Sequence, residues 1–351
     1  MHSELLLRLS SADAIAGDEG EVRTLIKEAL GNFAGEIFFD GLGSMVFHLP
    51  PAVKTEHAPK LLFCAHMDEV GFIVRSISPE GMLFLLPVGN VLPKSCDMQA
   101  VRVTSEDGGK LFGILNTTRT AQGTIEELYV DLGFDSEEEA RAQGVAEGAM
   151  VTFATDARML APERVAGKAL DDRAGCTALV EACRTMASDA GRKNDLYFAF
   201  TSSEEVGTRG GRTVTELVEP DLIVAIDTAN HAELDRGFKN HRQLGAGFML
   251  EHYDKTMSPN RKLLRAARRL FETEGLAFQR DMFGGGGTDA GAAHLTGGGR
   301  LALVLGIPLR YCHASCSIAD LRDIEGVARA AVALAHSLDR RQVEEYLTWQ
   351  D

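Results

Sequence analysis

Four short apolar runs punctuate the chain, and each ends close to a residue able to bind a cation. Lys60–His66 closes on His66, with Asp68 two positions later. The run at 196–200 leads through Thr201-Ser-Ser into the adjacent acids Glu204 and Glu205. The run at 221–227 ends in Asp227, and the run at 300–306 is followed by a short connection to His313. Unbroken apolar stretches of this length read as strands buried on both faces, the signature of a mainly parallel sheet. Ligands of open α/β sheets collect beyond the carboxyl ends of the strands. Four such strands therefore predict one edge carrying His, a double acid, Asp and His.

The segments between them carry helical periodicity. Residues 3–30 read as helical, with Val22, Leu25, Ile26 and Ala29 recurring at i, i+3, i+4 and i+7 before the stop at Gly31-Asn32. Residues 36–39 and 44–49 read as a hairpin through Asp40-Gly-Leu-Gly43. Residues 168–175 open a helix whose apolar face includes Leu179, Ala182, Cys183 and Met186. Asp171 and Asp172 then stand at its N-terminus, where negative charge suits the helix dipole. One of the two can cap the helix, which leaves the other free. Further helices are expected at about 260–273 and 321–346, and a strand at 301–305. The glycine run at 284–287 lacks the Lys-Ser/Thr ending of a phosphate loop, so it reads as a turn needing close backbone approach.

From about residue 73 to 160 the texture changes to short strands and turns. Residues 100–104 and 110–115 flank Ser-Glu-Asp-Gly-Gly, a hairpin loop. Strands are also expected at 127–131 and 151–154, with a short helix opened by a Ser136…Glu139 capping box. The expected architecture is α/β: a mixed, mainly parallel sheet with helices on both faces, built from residues 1–72 and 163–351. A small β-rich domain, residues 73–162, interrupts it.

The chain has 351 residues, enough for one large or two ordinary domains, and a formal net charge of −15. That charge argues against nucleic acid or an anionic membrane as partner. Six cysteines are scattered without a CxxC pattern. Cys64 and Cys183 fall in apolar contexts; Cys312 and Cys316 bracket His313, but carboxylate-rich surroundings argue against thiolate ligands there. Leu5-Leu6-Leu7 before Arg8 is too short for a signal-peptide core, and no apolar run approaches a membrane span. A reducing cytoplasm is the expected location.

A single acidic turn after a core strand is often only a solvated turn, but four converging strand ends suggest a metal site. Imidazole with carboxylate suits zinc, cobalt or manganese more than calcium. The set exceeds what one hydrolytic zinc uses and suits two ions sharing a bridging carboxylate. In Glu204-Glu205 one carboxylate can bind metal while its neighbour takes a proton from the attacking water.

These motifs resemble the di-metal aminopeptidases related to glutamyl aminopeptidase, also called tetrahedral aminopeptidases and often labelled cellulase M or endoglucanase. The resemblance runs almost end to end. It rests on Ala65-His-Met-Asp-Glu-Val-Gly71, Lys168-Ala-Leu-Asp-Asp-Arg-Ala-Gly175, Ser203-Glu-Glu-Val-Gly-Thr-Arg-Gly210, Ala225-Ile-Asp227, Gly286-Gly-Thr-Asp-Ala-Gly291 and Pro308-Leu-Arg-Tyr-Cys-His313. It implies Asp171 as bridging ligand, Glu205 and His313 completing one metal site, and His66 and Asp227 the other. It implies Glu204 as general base and Asp68 as the residue fixing the ring of His66. It further implies two divalent ions per subunit (zinc first, cobalt or manganese next), short peptides as substrates, and an inserted domain that dimerises. Dimers of such proteins often assemble into a dodecamer. Two other readings share the core motifs: a deacylase or carboxypeptidase on the same scaffold, and a metal- or peptide-binding shell without chemistry. A glycosidase is poorly supported, because it needs two carboxylates free of metal.

Overall fold

The computed structural model describes residues 3–230, 242–282 and 284–349. Helices α1 (Ser3–Ser11) and α2 (Gly20–Leu30) precede a hairpin of β1 (Glu36–Phe39) and β2 (Met45–Leu49), and β3 (Lys60–His66) follows. The chain then runs through β4 (Gly71–Ile77), β5 (Leu83–Val88), β6 (Gln99–Thr104), β7 (Lys110–Arg119), β8 (Ile125–Asp131), α3 (Glu137–Ala142) and β9 (Met150–Phe153). Strands β10 (Arg158–Ala161) and β11 (Arg164–Gly167) lead into the long helix α4 (Leu170–Ser188). The remainder comprises β12 (Asp195–Thr201), α5 (Arg209–Val218), β13 (Leu222–Asn230), β14 (Phe248–Glu251), α6 (Arg261–Thr273) and β15 (Phe278–Asp281). It closes with α7 (Asp289–Ala293), β16 (Leu301–Leu309), β17 (Ser317–Asp320), α8 (Leu321–Ser337) and α9 (Arg340–Leu347).

Eight strands form one mixed sheet in the order β1-β2-β12-β3-β13-β16-β14-β15. The four central strands, β12, β3, β13 and β16, are mutually parallel, with antiparallel neighbours at β2 and β14. Alternate residues of these strands feed two different cores, which is why their sequences are continuously apolar. Leu61, Phe63, Phe198, Val224 and Leu303 pack with α1, α2, α4, α6 and α8. Leu62, Cys64, Ala199, Ile223 and Val304 pack with α5 and α7 on the opposite face. The fold is thus the expected α/β sheet with helices on both sides.

Strands β4-β5-β8-β7-β6-β9 close into a six-stranded barrel with its own core of Phe72, Val74, Leu83, Val101, Leu115, Val130 and Phe153. Closure is made by β9, which pairs with β6 on one side and β4 on the other. The hairpin of β6 and β7 has the expected register. A separate three-stranded sheet, β10-β11-β17, ties the start of α4 to the segment after His313.

Three elements differ from expectation. The helix expected across 3–30 is two helices, broken at 12–19, where Gly17 takes φ +87° and Ile15 pairs with Asp18. Backbone carbonyls freed by that break become acceptors: Leu9 and Ala12 receive Arg173 Nη1, and Ala12 also receives Lys168 Nζ at 2.7 Å. The helix expected across 321–346 ends at Ser337 and restarts at Arg340, because Asp339 and Gln342 form a complete capping box. In α3 the Ser136 hydroxyl accepts from Glu139 N, but the Glu139 carboxylate accepts from Asp135 N, so the cap is one-sided.

A buried charge cluster joins barrel and sheet. Asp13, in the break between α1 and α2, accepts from Arg102 of β6 and Thr152 of β9. Lys168, with no exposed side-chain surface, contacts both Asp13 (3.1 Å) and Glu69 (2.5 Å). Removing one partner of a buried pair leaves the other charge unpaired, at about 3–5 kcal/mol. Lys168→Met is therefore expected to lower the unfolding free energy by about 3 kcal/mol, read as a fall in the urea midpoint. A midpoint shift equivalent to less than about 1 kcal/mol would show that Arg102 and Arg173 already neutralise the two acids.

Candidate metal centre

Because the central strands are parallel, their carboxyl ends share one edge. Thr201 of β12 stands directly opposite His66 of β3 in the register, and Glu204 and Glu205 follow three and four residues on. The pairing of β13 with β3 ends at Ala225–Cys64, so Asp227 lies two residues beyond, level with His66. Asp171 enters from the start of α4, where the backbone of Asp171 and Asp172 departs from helical geometry. His313 comes from the turn between β16 and β17, in which Tyr311 and His313 both adopt positive φ (60° and 61°).

All seven residues expected at the site converge there. His66 Nε2 faces Asp171 Oδ1 at 3.3 Å, and His313 Nε2 faces the other oxygen, Oδ2, at 3.2 Å. The ligand atoms of His66, Asp171 and Asp227 lie within 4.8 Å of one another. Glu205 Oε2 is 3.5 Å from His313 Nε2, and Glu205 Oε1 is buried without a hydrogen-bond partner. Asp68 does more than steady one ring. Its carboxylate accepts from the backbone N–H of both Glu204 and Glu205 at 3.0 Å, while its carbonyl meets His66 Nδ1 at 3.0 Å. Of the two aspartates opening α4, Asp172 is the cap, accepting from Gly175 N at 2.9 Å, and Asp171 is the one left over. A Cβ on residue 175 would lie 2.3 Å from the Asp172 carboxylate, so glycine is required there.

Three contributors were not legible as site residues. The carbonyl of Asn90, in the barrel loop after β5, meets His313 Nδ1 at 3.0 Å; being backbone, it leaves no side-chain signal. Asp289, the first residue of α7, accepts from Thr201 Oγ1 at 2.5 Å and Gly211 N at 3.1 Å beneath the acidic pair. Cys312, set aside on the sequence as a poor match for carboxylate partners, has its Sγ 2.9 Å from Asp171 Oδ2. Within the glycine run Gly287 makes the close approach expected, since a Cβ there would stand 2.4 Å from Thr256, whereas Gly284 and Gly285 have open space around them.

The electrostatics are those of an anionic hole. Burial raises the carboxyls of Glu204 and Asp227 well above the ordinary range, with neighbouring carboxylates adding to the effect. Burial pushes Glu205 up to about 7, against the pull of His313, and Asp289 up to about 6, against the hydrogen bond from Thr201. Asp171 goes the other way: burial opposes its ionisation, but His313 and His66 outweigh it and hold it well below the carboxylate range. Burial disfavours charge on His66, yet Asp171 and Asp68 raise it well above an ordinary imidazole.

This donor set fits divalent cations. Each ring's Nδ1 lies on a carbonyl oxygen, which can only accept, so Nδ1 carries the proton and a neutral ring turns its Nε2 lone pair toward Asp171. Lone pairs of imidazole and carboxylate face one another at 3.2–3.3 Å only with something positive between them. Two imidazolium ions would leave several buried acids unmatched, whereas dications satisfy the oxygens and nitrogens together.

A family model described as M42 glutamyl aminopeptidase matches residues 43–329. The chain belongs to this family. It is a metal-dependent aminopeptidase, and the divalent-metal chemistry of the family agrees with the donor set above. The M42 chain is 30% identical to the glutamyl aminopeptidase of Lactococcus lactis subsp. cremoris, with 96% of each chain covered. Its fold matches a TET aminopeptidase from a marine-sediment Thaumarchaeota archaeon at a TM-score of 0.91, with 31% identity over 98% of this chain and 99% of that one. It also matches the TET1 peptidase of Pyrococcus horikoshii, described as able to assemble into a tetrahedron or a large octahedral shell (TM-score 0.86, 28% identity, 96% and 99% covered).

Metal removal has a signed consequence. Glu205 is raised from 4.5 to about 7, so its stabilising neutral form is fully present below about pH 4.5 and lost as pH rises through 7. The raised carboxyls of Glu204, Asp227 and Asp289 and the raised imidazoles act in the same sense. Depressed Asp171 acts only below its ordinary value of 3.8. Chelator-treated protein should therefore melt lower at about pH 8 than at about pH 5, and added zinc should restore more stability at the higher pH. Differential scanning fluorimetry checks this; a metal-free melting point that rises with pH would contradict it.

Proposed function

We propose that the chain is a co-catalytic two-metal aminopeptidase that removes N-terminal residues from short peptides. The observation that carries this reading is the placement of Asp171, whose two carboxylate oxygens each face a different histidine Nε2. His66 and Asp227 would hold one ion, Glu205 and His313 the other, and Asp171 both. When bound, the ions would supply Lewis-acid polarisation of the scissile carbonyl, acidify water and give the substrate's free α-amine an anchor, zinc being the first candidate and cobalt or manganese the next.

The remaining chemistry falls to the chain. Among the described residues Glu204, unlike Glu205, has no histidine nitrogen within ion-pair distance, and its raised proton affinity, set chiefly by burial, suits a group that must accept a proton and then release it. It takes the proton from the attacking water as the new C–O bond forms. It then gives that proton to the amide nitrogen as the C–N bond breaks, so the amine leaves neutral. Asp68 holds the backbone of Glu204 and Glu205 together and so sets the angle at which the two carboxylates diverge. Barrel residues Val70 and Phe153 line the cleft beside Asp171, Glu205 and His313 and exclude water from that side.

The inserted domain, residues 73–162, which supplies most of the barrel, is assigned the dimerisation role, with dimers assembling into a dodecamer. Its outer surface supports that: Phe112 is 65% exposed and Met98 71%, with Ile114 alongside on β7. A cytoplasmic location is supported by six cysteines that are all free, as expected in a reducing compartment. Among the described residues no helix is long and apolar enough to cross a membrane.

Glu204→Gln should keep its metal content and lower kcat on an aminoacyl chromogenic substrate by at least about 10²–10⁴, the contribution of a general base. Near-normal turnover in that variant, with metal analysis unchanged, would remove Glu204 from the reaction. Phe112→Asp should shift the light-scattering mass from twelve chains toward one or two, since a buried unpaired charge is costly at an apolar contact. A mass left at twelve chains would place the dimer contact elsewhere.

A further inference from the structure

The side of the centre occupied by His313 holds one donor that the two-metal reading does not use. Cys312 lies between the end of β13 and the start of α4. Its Sγ is 2.9 Å from Asp171 Oδ2 and 3.8 Å from Thr228 Oγ1, and its backbone N–H reaches Asn230 Oδ1 at 3.4 Å. The ligand atoms of Asp171, Cys312 and His313 fall within 4.8 Å of one another. Bond lengths of about 2.0–2.3 Å place the donors of one tetrahedral ion roughly 3.3–3.6 Å apart. His313 Nε2 stands 3.2 Å from Asp171 Oδ2 and 3.5 Å from Glu205 Oε2, close to that spacing. The Glu205 side chain is 5% exposed, and its Oε1 has no hydrogen-bond partner, so an unsatisfied oxygen lies on the His313 side of the centre.

We propose that Cys312 is a protein ligand on the His313 side of the two-metal centre, alongside Asp171, Glu205 and His313, and that its sulfur makes that position selective for thiophilic ions. The inference rests on the two-metal reading above. The opposite position, with His66, Asp227 and the other oxygen of Asp171, is built from nitrogen and oxygen alone. The two positions therefore differ in softness: sulfur favours zinc or cadmium over manganese, whereas the nitrogen and oxygen set accepts manganese or cobalt as readily. In the metal-free chain the Cys312 thiol donates its proton in a hydrogen bond to Asp171 Oδ2. On coordination the sulfur gives that proton to solvent, because a thiol bound to a dication is deprotonated. Asp171 Oδ2, which accepts from the thiol without metal, is then free to bind the ion itself.

The test uses the full chain, stripped with chelator and titrated with cobalt, with bound cobalt counted independently. The expected result is a sulfur-to-cobalt charge-transfer band in the near ultraviolet that disappears in Cys312→Ser and persists in Cys316→Ser. Cys316 is the control because its sulfur faces the carbonyl of Ser317. In competition titrations, Cys312→Ser should lose at least about tenfold in its cadmium-over-manganese preference, the scale of disturbing a metal ligand. Should Cys312→Ser fail to fold, X-ray absorption on the wild-type zinc protein decides: a sulfur neighbour at about 2.3 Å supports the ligand, and nitrogen and oxygen alone at about 2.0–2.2 Å overturn it. Protein that binds two cobalt ions and hydrolyses peptides without the band overturns the cysteine assignment alone. Protein that binds no cobalt overturns the two-metal reading and this proposal together.

Discussion

Burying a set of carboxylates at the ends of parallel strands is the constraint to which the rest of this molecule answers. Desolvating a carboxylate costs several kcal/mol even after relaxation, and like charges a few ångströms apart add to it. The fold meets the cost in two ways. Asp68, Asp172, Asp227 and Asp289 each accept from at least one backbone N–H. Asp171, Glu204 and Glu205 accept from no backbone N–H among the described residues, and two of them face histidine instead. Backbone donors thus fix the orientation of the first group, Asp227 included, while the second group is held without them. Divalent cations would satisfy the second group together with the Nε2 atoms of both rings.

The same constraint explains the division of the chain. The barrel is inserted between β3 and β10, immediately after His66 and Asp68, so its first and last strands lie next to the centre. It returns the favour through backbone: Asn90 O orients His313, and Leu92 N donates to the carbonyl of His313 at 2.9 Å. The charge cluster of Asp13, Arg102, Lys168 and Glu69 then clamps barrel to sheet on the far side of Asp171. Because the ring of His313 is oriented by one unit and the carboxylates by the other, the geometry of the centre is sensitive to how the two units sit together.

Much of this was written in the order of residue types. The four apolar runs and the acids and imidazoles at their ends predict a parallel sheet with one functional edge, because a strand buried on both faces has no polar position until it ends. That one of Asp171 and Asp172 caps the helix and the other is spare follows from the same logic, since a helix start needs one acceptor and the chain supplies two; the structure decides that Asp172 is the cap. The break inside 3–30 was hidden because its cause lies elsewhere: the carbonyls of Leu9 and Ala12 serve Lys168 and Arg173, more than 150 residues away in the chain. The restart at Asp339 was encoded locally, in Asp339 and Gln342, but the apolar periodicity ran straight through it.

Residue type and periodicity, by themselves, determined the α/β sheet and an edge carrying His66, Asp68, Glu204, Glu205, Asp227 and His313, with one of Asp171 and Asp172 to spare; the family resemblance singled out Asp171. They could do so because burial on two faces and the need of carboxylates for cations are properties of the residues themselves. Tertiary structure alone decided that the β-rich insertion closes into a barrel, that a carbonyl of that barrel steadies His313, and that the sulfur of Cys312 lies against Asp171. Closure depends on the pairing of β9 with β4 across about 80 residues, and backbone donors carry no residue signature. The direction of one cysteine is set by two positive-φ residues beside it, which the pattern of hydrophobic positions does not record.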